Sequence, residues 1–299
     1  MQTPFTNAHI IGSVRPADYC KAPNPRGHKE FVMSRGELME FNRCPHRWLR
    51  GYQSDETKST EWGTLMDCLV LTPGQFDKEF AVAPQTYENS KGEEKTWNWN
   101  ANTCKEWRDE HQGLTIIKTD WLEQANQAKR VLAEDPQIVA LLMCSKTQVM
   151  GVAEYHDKET GITVPVKILV DIAPEIGSSY QNSLADLKTC ATASLRAWTR
   201  AVFDHGYHVQ AAFYLDVWKA ATGQDRVDFL HVLQESFPPY EVGKRLLSQE
   251  YIELGRLTYT AAMQRYCRCL ADNDWPGYDS KAIFNGWNLV DVESWMITL

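Results

Sequence analysis

The run at residues 162–170 constrains this chain most: it is almost wholly apolar and ends on Asp171. Turn formers at 157–161 close it on one side, so it reads as a strand. Residues 147–155 are rich in β-formers and supply the preceding strand of a hairpin. A loop at 177–181 follows, and residues 183–188 read as a third strand. Side chains alternate along a strand, so Asp186 and Lys188 share a face while Leu187 points to the core. A carboxylate beside an ammonium costs free energy unless it is solvated or used. One reading is a surface ion pair on an edge strand. The other is functional: carboxylates at two strand ends plus a lysine can hold a hard divalent cation and its water, the equipment of phosphodiester hydrolysis.

Helices flank this meander. Residues 194–205 carry Leu195, Trp198 and Val202 and stop at Gly206. The next helix, 207–222, is stopped by Gly223 and puts Gln210 and Tyr214 on one face, four residues apart. A strand at 226–237, a break at Pro238-Pro239, a short pairing segment at 240–242 and a long helix at 248–272 complete the order. Upstream, residues 1–30 are polar and punctuated by prolines, which predicts a loosely held arm ahead of a single domain at 31–299. Ser34 with Glu37 has capping-box spacing and opens a helix bearing Leu38 and Phe41. Arg35, Arg43, Arg47 and Arg50 give that segment a basic side, either a solvated face or a contact for a DNA backbone. A helix at 61–71 holds Asp67 among apolar neighbours, as a hydrogen-bonded buried carboxylate or as a metal ligand. Trp97, Trp99 and Trp107 alternate with lysines, to anchor an irregular segment or to stack on single strands. Asp120 with Glu123 is expected to cap a helix reaching Leu132, and Asp135-Pro136 to start another.

A net charge of −8 argues against nucleic-acid binding by the whole surface, while leaving room for a local basic groove. The eight cysteines form no CxxC pair, and no long apolar run is present. Free thiols in a reducing cytoplasm, with no membrane association, are therefore expected.

The order of helix, three-stranded meander, helix and strand, with Asp171, Asp186-Leu187-Lys188 and then Gln210-x-x-x-Tyr214, resembles the PD-(D/E)XK nuclease superfamily. More closely it resembles the RecE-type exonucleases (exodeoxyribonuclease VIII) and their phage relatives. Residues 34–48, Trp62-Gly63-Thr64 through Pro73 with Phe76, Gly206-Tyr207-His208-Val209-Gln210 and Trp275-Pro276-Gly277-Tyr278 carry the likeness over about residues 30–280.

The resemblance implies an α/β fold of α+β type: a restriction-endonuclease-like core whose central mixed sheet is flanked by helices, with helical insertions. It implies that Asp171 and Asp186, joined by Asp67, hold Mg²⁺ or Mn²⁺. Lys188 would orient or help activate the attacking water, although two neighbouring carboxylates favour its ammonium form. Gln210 and Tyr214 would position the core and the DNA backbone, with Arg35, Arg43 and Arg47 as DNA contacts. The family usually has His where Asp67 stands. It more often has a basic residue two before the first strand carboxylate, where Leu169 stands here, so Lys167 inherits no role. Cys44-Pro45 looks like the first ligand of an iron–sulfur cluster, but the C-terminal cysteines are missing and no cluster is expected. The implied activity is exonucleolytic digestion of linear double-stranded DNA, 5′ to 3′, leaving 3′ single-stranded tails in phage or prophage recombination. A single-strand annealing recombinase and a ring-shaped homo-oligomer are the implied partners. A nickase or endonuclease, or an inert DNA-end-binding protein, are the alternatives. Glu154 is either a surface residue or an outlying acid of the site.

Overall fold

A computed structural model describes residues 4–20, 24–51 and 57–280. In chain order the elements are β1 (Phe5–Ser13), α1 (Pro16–Tyr19), β2 (Met33–Ser34), α2 (Arg35–Arg43), α3 (Pro45–Leu49), α4 (Lys58–Leu71) and α5 (Phe76–Glu79). Next come β3 (Phe80–Ala83), β4 (Thr86–Glu88), β5 (Glu94–Thr96), α6 (Asn102–Glu110), β6 (Thr115–Lys118), α7 (Thr119–Ala133) and α8 (Pro136–Met143). The second half holds β7 (Ser145–His156), β8 (Thr163–Pro174), β9 (Ser183–Cys190), α9 (Leu195–Asp204), α10 (Tyr207–Thr222), β10 (Asp228–Glu235), β11 (Val242–Leu246) and α11 (Gln249–Asp272). No helix among the described residues is long and apolar enough to cross a membrane.

The meander forms as its sequence pattern requires. The strands order as β1-β7-β8-β9-β10-β11, antiparallel except for the parallel β9–β10 pair, with β2 laid parallel on β8. This is the mixed sheet flanked by helices that the motif order implies. One layer packs Leu184 and the α10 residues Val209 and Phe213 against α11. The other packs Ala185, Leu187 and Val232 against Leu132 of α7 and Ile138 and Leu141 of α8. Burial of such side chains contributes about 1.5–3 kcal/mol each.

The edge of β8 facing β9 is divided. β2 occupies it at Val166 and Lys167, and β9 bridges it at Ile172–Ala185. Between these contacts the ladder is open, and Asp171 lies in the opening. Asp171 therefore does not end its strand, as the apolar run suggested, because β8 continues through Ile172 to Pro174.

The first thirty residues are not a loose arm throughout. Residues 5–13 pair along β7 as an edge strand, and the Phe5 ring packs on Tyr155, Phe213 and Tyr259. The pairing register shifts between Thr6 and His9 and between Ile10 and Gly12, and all but Phe5 stay at least partly exposed, which leaves little hydrophobic contrast to mark a strand. Arg26, in the same stretch, pairs with Glu37 at 3.0 Å. That pairing alters the expected cap as well. Ser34 Oγ accepts from the Glu37 N–H at 3.3 Å, but the Glu37 carboxylate turns to Arg26 and Trp48 Nε1 instead of closing the box. Two other local expectations fail. α7 starts at Thr119 with Lys118 as N-cap and no capping side chain, so Asp120 falls inside the helix. The partner of β10 is residues 242–246, not 240–242, because Tyr240 closes a turn through its N–H to Phe237 O. Trp97 packs edge-on against Trp99 and Trp107 at 5.5 and 5.4 Å, which favours the anchoring role for those tryptophans.

Candidate active site

Strand register brings four polar residues into one line across four strands. β7 and β8 pair at Thr147–Ile172 and Val149–Val170, which sets Gln148 beside Asp171. The Ile172–Ala185 bridge sets Asp171 across from Asp186, and the parallel β9–β10 ladder sets Asp186 level with His231. Lys188 lies two residues along β9 on the same face as Asp186.

Asp186 is the hub. It is 2% exposed and sits on an interior strand, which excludes the surface ion pair on an edge strand. Its Oδ1 accepts from Gln210 Nε2 at 2.6 Å. Its Oδ2 lies 2.5 Å from Lys188 Nζ but has no well-directed hydrogen bond. Asp171 Oδ2 accepts from the Leu187 N–H at 3.1 Å, and Gln148 Nε2 approaches its Oδ1 at 3.4 Å. Asp67 enters from α4, within electrostatic reach of Asp186 and Lys188.

Gln210 can reach Asp186 because α10 begins abruptly. Gly206 has φ +64°, and a Cβ there would lie 2.9 Å from Met39 Cε, so only glycine gives this entry easily. The far side of α10 is equally close to its neighbour: a Cβ on Gly255 of α11 would lie 2.0 Å from the His208 carbonyl oxygen.

The charges are unevenly compensated. Burial raises the Asp67 carboxyl to about 7; Lys188 opposes this and Asp186 adds to it. Burial also holds Asp171 well above the usual carboxylate range, reinforced by Asp186 and Asp67. Burial pushes Asp186 the same way and is the largest single influence, but Lys188, His231 and Asp171 together keep it below its ordinary value. For Lys188, burial favours the neutral amine, yet Asp186 and Asp171 together raise its pKa. Lys188 is thus an ammonium, fitted to donate and not to abstract a proton. Tyr214 is buried, its phenol pushed up to about 12 by burial and then by Asp186 and Asp171, so it too is a donor.

Among the described residues no three His, Cys, Asp or Glu side chains already converge as a ready ligand shell. Lys188 occupies the attention of Asp186 instead. The donor set nonetheless fits a hard divalent cation. Three oxygen-bearing carboxyl groups influence one another, burial pushes two of them toward their neutral form, and Asp186 Oδ2 is buried without a directed hydrogen bond. A cation is what such a cluster lacks.

Arg35 also belongs here. Its guanidinium stacks 5.8 Å from the Tyr207 ring centroid, donates to the His205 carbonyl oxygen, and lies near enough to Tyr214 and Asp186 to feel their charge. Arg43, two turns along α2, pairs with Glu40 at 2.6 Å while still within electrostatic reach of Arg35, and Arg47 donates to Tyr278 Oη at 3.2 Å. Glu154 accepts from Asn7 Nδ2 at 2.6 Å, six residues along β7 from Gln148, which is roughly 20 Å of strand. It is a surface residue.

Sequence reasoning missed Gln148 and His231. His231 is 1% exposed and packs on Trp198, Tyr207 and Phe229, with burial lowering its imidazole to about 4 and keeping it neutral. Only the strand pairing exposes these two, since neither lies at a fixed sequence distance from Asp186.

The profile of a family described as a PDDEXK-like domain of unknown function (DUF3799) matches residues 34–283, a span holding Asp67, Asp171, Asp186, Lys188, Gln210 and Tyr214. Among solved structures the chain is similar to a putative exonuclease from Eubacterium rectale, with 16% identity and a TM-score of 0.56 over 89% of each chain. Rai1 from Scheffersomyces stipitis aligns at 14% identity with a TM-score of 0.24, over 72% of this chain and 61% of that one. None of the curated proteins compared matches the chain.

Proposed function

The chain belongs to the family of PDDEXK-like domains DUF3799, and from that premise we propose that it is a divalent-metal-dependent nuclease acting as an exonuclease on linear double-stranded DNA. The observation that carries the reading is Asp186, buried and held by both Gln210 and Lys188 beside Asp171.

Asp67, Asp171 and Asp186 would hold Mg²⁺ or Mn²⁺. When bound, the ion would neutralise phosphate charge and make a water molecule more acidic. Lys188, as an ammonium, donates toward the phosphate oxygen on which negative charge grows. Gln210 fixes one oxygen of the Asp186 carboxylate, and the other faces Lys188. Arg35 and the Tyr214 hydroxyl supply donors on the same side of the sheet, where a sugar–phosphate backbone would lie. The acidic overall charge is compatible with this, since only the channel in contact with DNA need be positive. The finer reading follows the RecE-type resemblance: digestion 5′ to 3′, 3′ single-stranded tails, phage or prophage recombination, a single-strand annealing partner and a ring-shaped homo-oligomer.

The test is digestion of end-labelled linear duplex with Mg²⁺ or Mn²⁺, beside closed circular DNA. Release of mononucleotides from the linear substrate, abolished by Asp186→Ala and Lys188→Ala, is expected. Undiminished release from either variant would reject the mechanism. Cutting of the closed circle would make the protein an endonuclease or nickase.

A further inference from the structure

Gln148 is the outermost member of the polar line, and its backbone breaks the rule of its own strand. β7 is twelve residues long, yet Gln148 has φ +51° in its interior. That left-handed conformation costs a residue with a long side chain of order 1–3 kcal/mol. The pairing on either side is regular, so the departure is confined to the position beside Asp171. The Val14 N–H, just past β1, donates to Gln148 O at 2.9 Å and helps hold the irregular residue in place.

The side chain is as unusual as the backbone. It is 2% exposed, its Nε2 faces Asp171 Oδ1, and its Oε1 is buried with no hydrogen-bond partner among the described residues. The NH₂ end of the amide faces Asp171 Oδ1 at 3.4 Å. The oxygen end is then an open acceptor inside the site. Leaving such an atom unpaired costs about 1–3 kcal/mol. Backbone strain and an unpaired buried oxygen thus fall on one residue, and that residue touches a proposed metal ligand.

We propose that Gln148 is a positioning residue of the active site. Its NH₂ group orients Asp171, and its Oε1 offers a neutral acceptor to whatever Asp171 binds. The inference rests on the reading of Asp171 as a metal ligand. It also makes β7, a strand that carries none of the proposed catalytic or metal-binding residues, part of the site.

The test compares wild type with Gln148→Asn and Gln148→Gly, each freed of metal with EDTA and titrated with Mn²⁺ by calorimetry. Asn and Gly both tolerate positive φ, so neither adds strain, and neither can reach Asp171 as Gln148 does. The expected result is a loss of about ten-fold or more in Mn²⁺ affinity, with kcat on linear duplex falling by a similar factor at unchanged KM. Both variants should still unfold cooperatively without metal. A merely structural glutamine would lower the unfolding midpoint and leave Mn²⁺ affinity alone; that result overturns the proposal. A wild type that binds Mn²⁺ but leaves DNA intact would end the nuclease reading, while the affinity comparison would still decide the role of Gln148. A wild type that binds no Mn²⁺ would overturn both.

Discussion

Asp67→Asn should stabilise the metal-free protein and blunt its response to metal. The Asp67 carboxyl rises from 3.8 to about 7 in the fold, chiefly by burial. At 1.36 kcal/mol per pKa unit, keeping it ionised costs the folded state at most about 4 kcal/mol. The side chain is only half-buried, so solvent screening leaves an effective penalty of about 1–3 kcal/mol. The folded protein binds this proton more tightly than the unfolded chain does. The contribution of Asp67 to stability is therefore greatest below about pH 4, falls as pH rises to about 7, and is level beyond. Asparagine has no charge to desolvate and escapes that fall. Unfolding entropy of about 2.1 cal/mol/K per residue gives roughly 0.6 kcal/mol/K for 299 residues, so the variant should melt about 2–5 °C higher at pH 8. Near pH 4 the difference should vanish. Saturating Mn²⁺ should then raise the wild-type midpoint more than the variant's. Scanning calorimetry in EDTA at the two pH values, and again with Mn²⁺, measures all of this. An Asn variant no more stable than wild type at pH 8 in EDTA would refute the reasoning.

Lys188→Met should abolish nuclease activity and, by leaving the Asp186 carboxylate buried without its cation, destabilise the fold by about 3–5 kcal/mol in urea titration. Lys188→Arg should not restore activity, because a planar fork cannot take the place of a compact ammonium. Gly255→Ala should destabilise by about 3 kcal/mol or more, since its Cβ would meet the His208 carbonyl oxygen at 2.0 Å; thermal unfolding or failure to fold will show it. Asp216→Asn should weaken the clamp that Asp216 of α10 makes with Arg256, at 2.8 Å to each oxygen, and with Tyr259. The melt should fall by several degrees with Mn²⁺ affinity retained.

The parts of the fold that could be read from sequence are those whose local signals agree. Helix α10 runs from Tyr207 to Thr222 as read, because Gly206 and Gly223 both adopt positive φ and punctuate it at each end. The meander was legible because β8 is buried on both faces and its turns carry glycine. Strand β1 was hidden because all but Phe5 stay at least partly exposed, so its alternation runs between half-buried and exposed positions and carries little hydrophobic contrast. The shared face of Asp186 and Lys188 followed from the strand period and that of Gln210 and Tyr214 from the helix period, whereas the bond from Gln210 to Asp186 is made by tertiary packing. Gln148 and His231 could not be read from either period, since they meet the site only through the register of neighbouring strands. Nothing in the residue type announces the positive φ of Gln148. Arg35 was one of several plausible arginines, and only the start of α2 directly after β2 brings it to the centre while Arg43 turns to Glu40 and Arg47 to Tyr278.

The single rung between β8 and β9 has a mechanical consequence. Asp171 is carried by one half of the sheet and Asp186 with Lys188 by the other, and the seam is spanned by one backbone bridge, by the Asp171 bond to the Leu187 amide and by the Arg226 guanidinium, which donates to Pro174 O and Ser183 O. The separation of the acidic groups is thus set by side-chain ties as much as by a backbone ladder. The Leu187 amide is fastened across that seam by a carboxylate in place of a carbonyl. Its deuterium exchange should therefore quicken or slow with whatever draws Asp171 away, giving a solvent-borne gauge of the gap at one peptide group.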